Sequence, residues 1–196
     1  MSKPVINKIF QASANSVLDN QDLSTQIEKA AYQILSSFKN GGKLLICGNG
    51  GSAADAQHLS SELLNRYHRD RQELPGIALT TDGSTLTSVA NDFDYNEVFA
   101  KQIRALATPD DTIMLITTSG NSANLISGMA AAHQKGASCI VLNGKDGGKI
   151  AKLLTDKDIE IRVKGTITAR IQEVHGLIIH CLCELIDYEI IDQNNL

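Results

Sequence analysis

The sequence predicts an α/β fold: a doubly wound, five-stranded parallel sheet flanked by helices, closed by a long C-terminal helix. Three observations carry this expectation. Five short runs, Leu44–Cys47, Ile77–Thr80, Thr112–Ile116, Ser138–Leu142 and Ile159–Val163, are apolar enough to be covered on both faces. Each is followed by a loop and then by a segment of helical periodicity, the order that makes parallel rather than hairpin pairing. No internal repeat or low-complexity linker interrupts the 196 residues, so a single domain over 1–196 is sufficient.

Taken in order, residues 4–18 read as a first helix, with Pro4 suited to its first turn. Thr25 and Glu28 have the spacing of a capping box for a second helix, and Gly41-Gly42 ends it. After the first strand comes a helix from Ala53 to about Tyr67, with Ser52 as the expected N-cap. A charged surface turn, Arg66–Glu73, leads to the second strand. Short helices follow at Thr85–Ala90, ending at Asn91-Asp92, and at about Asn96–Ala107. The third strand feeds a helix running to Lys135, where Gly136 stops it. A loop over Asn143–Gly148 and a short helix at Lys149–Leu154 precede the fifth strand, and the last helix covers about Thr168–Ile191.

Composition limits the function. The formal net charge of −4 disfavours a general nucleic-acid binder, which would normally be basic. Cys47, Cys139, Cys181 and Cys183 lack the pairing of a metal knuckle, and their apolar settings point to buried free thiols in a reducing compartment. The first residues lack the apolar core of a signal peptide, and no stretch approaches about 20 uninterrupted apolar residues, so a cytoplasmic protein without a membrane span is expected.

Two loops have the chemistry of an anion site. Gly48-Asn49-Gly50-Gly51-Ser52 joins a strand to a helix N-terminus, where glycines let the backbone close on a ligand and free N–H groups favour phosphate. It is neither G-x-G-x-x-G nor a P-loop, and a plain tight strand-to-helix turn would use the same residues. Thr117-Thr118-Ser119-Gly120-Asn121-Ser122 follows the third strand and offers four hydroxyls in the equivalent place, although a capping turn also favours Ser and Thr.

On the helix after the first loop, Asp55, His58, Glu62 and Arg66 share one face. Such a stripe is usually a solvated face, but His and Glu one turn apart also suit a metal ion or an acid–base pair. In the last helix His180 points away from the core stripe of Ile171, Val174, Ile178 and Leu182, and Ile179, Cys183 and Ile190 make a second apolar side. A helix apolar on two sides is covered twice, which in a chain of this size implies an oligomer. Gln172 and His180 are separated by eight residues, a rise of about 12 Å, so sharing one small ion would need a neighbouring subunit to supply one of them.

The stretch CGNGGSAADAQHLSSE over 47–62, Asn91-Asp92, TTSGNS over 117–122, NGKDGG over 143–148 and RIQEVH over 170–175 together resemble the phosphoheptose isomerases of the sugar isomerase (SIS) family. The resemblance covers nearly the whole chain. It implies a homotetramer, one zinc ion per subunit, a sugar-phosphate substrate and aldose–ketose isomerisation of sedoheptulose 7-phosphate to D-glycero-D-manno-heptose 7-phosphate, a precursor of lipopolysaccharide heptose. The implied metal ligands are His58, Glu62, Gln172 and His180. The implied substrate contacts are Asn49, Gly50, Gly51, Ser52, Asn91, Asp92, Thr117, Thr118, Ser119, Ser122 and Gln172. Glu62 would be the general base and His180 the acid, although a metal-bound carboxylate is a weaker base and the two roles of Glu62 compete.

Ala169 stands where many members of that family have an Asp before Arg-Ile-Gln-Glu. Asn65-Arg66, Ile103–Leu106 and Cys181–Asp187 are also similar to a replication initiator-associating SIS adaptor without isomerase activity. That branch lacks the catalytic residue types that Glu62 and His180 supply here.

Overall fold

The computed structural model describes residues 2–193. Its elements are α1 (Lys3–Leu18), α2 (Ser24–Lys39), β1 (Leu44–Gly48), α3 (Gly51–Leu64), β2 (Gly76–Ala78), α4 (Gly83–Asp92), α5 (Val98–Leu106), β3 (Thr112–Ile116), α6 (Ala123–Gln134), β4 (Ser138–Gly144), β5 (Ile159–Val163) and α7 (Thr168–Asp187). A turn of π-helix, Tyr188–Asp192, extends α7. The predicted short helix after Asn143–Gly148 is a single 3-10 turn, Ile150–Lys152.

All four strand pairings are parallel, in the order β2-β1-β3-β4-β5. The strands are buried because alternate residues feed two cores. Leu44 and Ile46 of β1, Met114 and Ile116 of β3 and Ile140 and Leu142 of β4 pack under α2, α3 and α7. Leu45 and Cys47, Ile113 and Leu115, and Cys139 and Val141 face α4, α5 and α6. This double coverage is what continuous apolar strands require. Chain order reverses direction between β1 and β3, so the loops leaving these neighbouring strands open a crevice at their C-terminal ends.

Two expected caps are not formed. Helix α2 starts at Ser24 after a 3-10 turn, with Leu23 at the cap and no side-chain cap hydrogen bond, so Thr25 and Glu28 both lie inside the helix. Helix α3 starts earlier than expected, at Gly51, with Gly50 as N-cap at φ +55°. Ser52 is therefore a buried first-turn residue, its N–H turned back onto the Asn49 carbonyl at 3.0 Å. Only glycine adopts the conformation of Gly50 without strain, and this tightens the turn by two residues. Asn91 and Asp92 form the end of α4 rather than the turn after it.

The four cysteines are free, with Cys47, Cys139 and Cys183 buried. Among the described residues no helix is long and apolar enough to cross a membrane.

Candidate active site between α3 and α7

The Gly50 turn aims α3 so that it runs beside α7, on the face of the sheet shared with α2. The two helices touch at three levels. At the first, Gly51 has no side chain, and a Cβ placed there would lie 1.7 Å from the Gln172 Nε2. This close approach lets Gln172 reach past Gly51 to hydrogen-bond Asp55. Burial pushes the Asp55 carboxyl up, against the pull of His58 and of the Gln172 bond. Its Oδ2 is buried without a hydrogen-bond partner.

At the second level His58 Nε2 lies 3.3 Å from Glu62 Oε1. The His58 ring meets that of His180 edge-on, with centroids 5.1 Å apart. Tyr67 stacks on His180, at 5.6 Å and 30°. The expected helix runs to about Tyr67, but α3 stops at Leu64 and the chain returns the Tyr67 ring to α7 instead. Arg66 leaves the predicted polar stripe for the same reason and pairs with Asp70 on the surface. At the third level Arg71 joins the end of α3 to Asp187.

One chain thus brings His58, Glu62 and His180 together, with Gln172 a level away on Asp55. The separation of Gln172 from His180 along α7 is as the helical rise requires. His58, Glu62 and His180 offer two imidazoles and a carboxylate, donor types that suit a divalent cation such as zinc, while the Gln172 carboxamide and the unpartnered Asp55 oxygen lie a level away.

The described residues contain one group of three His, Cys, Asp or Glu side chains whose ligand atoms all lie within 4.8 Å: His133, Cys139 and Asp158. It lies at the opposite end of the sheet, where β4 and β5 begin. Its carboxylate is already committed. Asp158 accepts from the backbone N–H of Cys139 at 2.8 Å and of Thr155 at 2.8 Å, from the Thr155 hydroxyl at 2.8 Å, and faces His133 Nε2 at 2.9 Å. Burial raises the Cys139 thiol well above its ordinary range. These groups brace the strand ends, as a satisfied buried carboxylate does.

The predicted loops meet at the β1/β3 crevice. The Asn49 and Asn124 carboxamides exchange hydrogen bonds of 2.9 and 2.8 Å, and the Tyr95 hydroxyl donates to Asn49 Oδ1 at 3.3 Å. Thr117 is buried, and its hydroxyl accepts the N–H of Ser119 and Gly120 at 3.4 and 3.1 Å, so it shapes the loop. Thr118, Ser119 and Ser122 remain partly exposed. Ser122 caps α6 through its backbone alone. Asn91 and Asp92 are exposed at the end of α4 and bonded to each other at 2.8 Å. In the Asn143–Gly148 motif, Asn143 is buried and holds the Gly147 carbonyl at 2.9 Å.

Asn124, Tyr95, Tyr67 and Arg71 were not singled out from sequence. Only Asn124, next to the recognised loop, carried a local signal.

Fold and site define a SIS-domain protein, and residues 9–144 match the model of the SIS domain. A phosphoheptose isomerase of Chromohalobacter salexigens is 57% identical over 164 residues, covering 84% of this chain and 83% of that protein. One of Thiobacillus denitrificans is 53% identical over 179 residues, 91% of each. The structure of phosphoheptose isomerase from Neisseria gonorrhoeae superposes with a TM-score of 0.91 at 43% identity, covering 95% of this chain and 99% of that one. The chain belongs to the SIS family and, within it, to the phosphoheptose isomerases.

Proposed function

We propose that this chain interconverts sedoheptulose 7-phosphate and D-glycero-D-manno-heptose 7-phosphate through an enediol(ate), supplying heptose for nucleotide activation and lipopolysaccharide. The observation that carries the mechanism is the placement of Glu62 and His180 on facing helices, His58 touching both. Ser119, Ser122, Thr118 and the loop N–H groups bind the phosphate, with Asn49 and Asp92 along the sugar. Glu62 takes the proton from C1 of the ketose while His180 protonates the C2 oxygen, giving the enediol. Glu62 then returns its proton to C2 and His180 recovers one from the C1 oxygen, so both residues end as they began. His58, Glu62, Gln172 and His180 would hold a zinc ion, which when bound polarises the carbonyl as a Lewis acid.

The same reading makes the protein a cytoplasmic homotetramer. Helix α1 buries none of its residues, and it exposes Val5, Ile6, Ile9 and Phe10, the last at 72%. Leu177, Cys181 and Leu185 of α7 line an apolar groove beside α2. Both surfaces suit cover by further copies. Relatives named as isomerases and the presence of Glu62 and His180 favour the enzyme over the initiator adaptor.

Incubation with sedoheptulose 7-phosphate and zinc tests the proposal. The aldose should form, and Glu62→Gln and His180→Gln should each remove turnover while sugar-phosphate affinity persists. Absence of product from the native protein would return the adaptor reading and implicate Ala169. Full turnover in Glu62→Gln would mean that another group is the base.

A further inference from the structure

Helix α3 ends abruptly at Leu64, two residues after Glu62, and the backbone of Asn65 (φ −101°, ψ −95°) is not helical. The last carbonyls of a helix need donors from elsewhere. Here one guanidinium supplies them. Arg71 Nη2 donates to the Glu62 carbonyl at 2.6 Å. Its Nη1 donates to the carbonyls of Leu63, Gln72 and Asn65 at 2.9, 3.0 and 3.4 Å. Its Nε donates to Asp187 Oδ1 at 2.8 Å, and both side chains are 2% exposed.

Asp187 is the last residue of α7, seven after His180. The buried pair therefore fastens the residue that carries the Glu62 carboxylate to the helix that carries the His180 imidazole. A desolvated ion pair seldom adds much net stability over an apolar substitute. It does fix geometry, because a planar fork accepts few arrangements of its partners.

We infer that Arg71, held by Asp187, is a positioning residue for the proton-transfer pair: it fixes the end of α3, where it holds the Glu62 carbonyl, against the end of α7, two turns beyond His180. The inference rests on the reading of Glu62 as base. The phosphate loops lie at the other end of α3, about 20 Å away by helical rise, so the clamp acts on turnover rather than on substrate capture.

Arg71→Lys tests this, since it keeps the charge opposite Asp187 and removes the fork. Asp187→Asn is the milder second variant, leaving a neutral acceptor for Nε. Each is assayed for kcat and KM with sedoheptulose 7-phosphate, for calorimetric affinity toward the sugar phosphate and for thermal unfolding, beside Glu62→Gln. A misplacement of about 1 Å costs up to about a hundredfold in rate. The expected result is a folded Arg71→Lys with kcat down about ten- to a hundredfold, KM and affinity within about threefold, and a smaller kcat loss in Asp187→Asn. Native kcat in folded Arg71→Lys overturns the inference. Equal loss of affinity and kcat overturns it too, as does failure of both variants to fold, which would make Arg71 a folding residue. The outcomes separate from those of the site reading: turnover retained in Glu62→Gln fails the base assignment, whereas an inactive Glu62→Gln beside a fully active Arg71→Lys fails only the clamp.

Discussion

The carboxamides of Asn49 and Asn124 pair head to tail across the β1/β3 crevice, at 2.9 and 2.8 Å. Asn124 is buried, and Asn49 stands at the mouth of the glycine turn. The pair joins the two loops that the strand order places side by side, and it leaves Asn49 with one N–H directed elsewhere. Asn124→Ala removes both bonds. Stability should fall by about 1–3 kcal/mol, because a half-buried amide loses its partners, and KM for the sugar phosphate should rise. Thermal unfolding and steady-state kinetics check this; an unchanged KM would separate the pair from the substrate.

Ser119 is partly exposed in the loop that Thr117 shapes. Ser119→Ala should weaken sugar-phosphate binding by about 0.5–3 kcal/mol, the span from neutral to charge-assisted hydrogen bonds. Calorimetric titration measures it, and an unaltered dissociation constant would remove Ser119 from the phosphate site.

Gly51 admits Gln172 where a Cβ would stand 1.7 Å from its amide nitrogen. Gly51→Ala should push Gln172 off Asp55 and lower both zinc affinity and turnover. Metal titration of the variant, with its unfolding profile as control, decides the matter.

Chelation should abolish activity and added zinc should restore it. The two histidine clusters give opposite expectations. His58→Ala and His180→Ala should lose bound zinc, measured by elemental analysis, whereas His133→Ala should keep it, because Asp158 there is committed to Thr155 and Cys139. Zinc lost with His133 alone would move the site to the far end of the sheet.

Acid should destabilise the protein through His175. Burial drives this imidazole down to about 4, opposed by its bond to the Asn143 carbonyl. The folded state thus holds it neutral, while the unfolded chain protonates it near its ordinary value of 6.5. Its contribution to stability is complete above that value and is lost as pH falls toward 4, on the order of 3 kcal/mol. Denaturant unfolding between pH 7 and 4.5 should show the fall, and His175→Gln, which retains a donor for Asn143, should flatten it.

Local pattern determined the layered fold of this chain. Strands Thr112–Ile116 and Ile159–Val163 have the expected bounds, because continuous apolar runs ended by turn residues permit few alternatives. The same pattern placed both loops at strand ends and put His58 and Glu62 one turn apart on one face. It misjudged the helix starts, where Gly50 at positive φ displaced Ser52 and a 3-10 turn displaced the Thr25 box.

Tertiary structure alone decided which groups meet. The encounter of His58 with His180 spans 122 residues of chain, and that of Arg71 with Asp187 spans 116. Such contacts follow from the path of α3 out of the Gly50 turn and from the packing of α7 on the sheet. Helical periodicity gives the direction of a side chain around its own axis, but not the helix that will lie opposite it. The sequence therefore determined the residue types and their faces, and packing decided that His58, beside Glu62 on α3, meets His180 of α7.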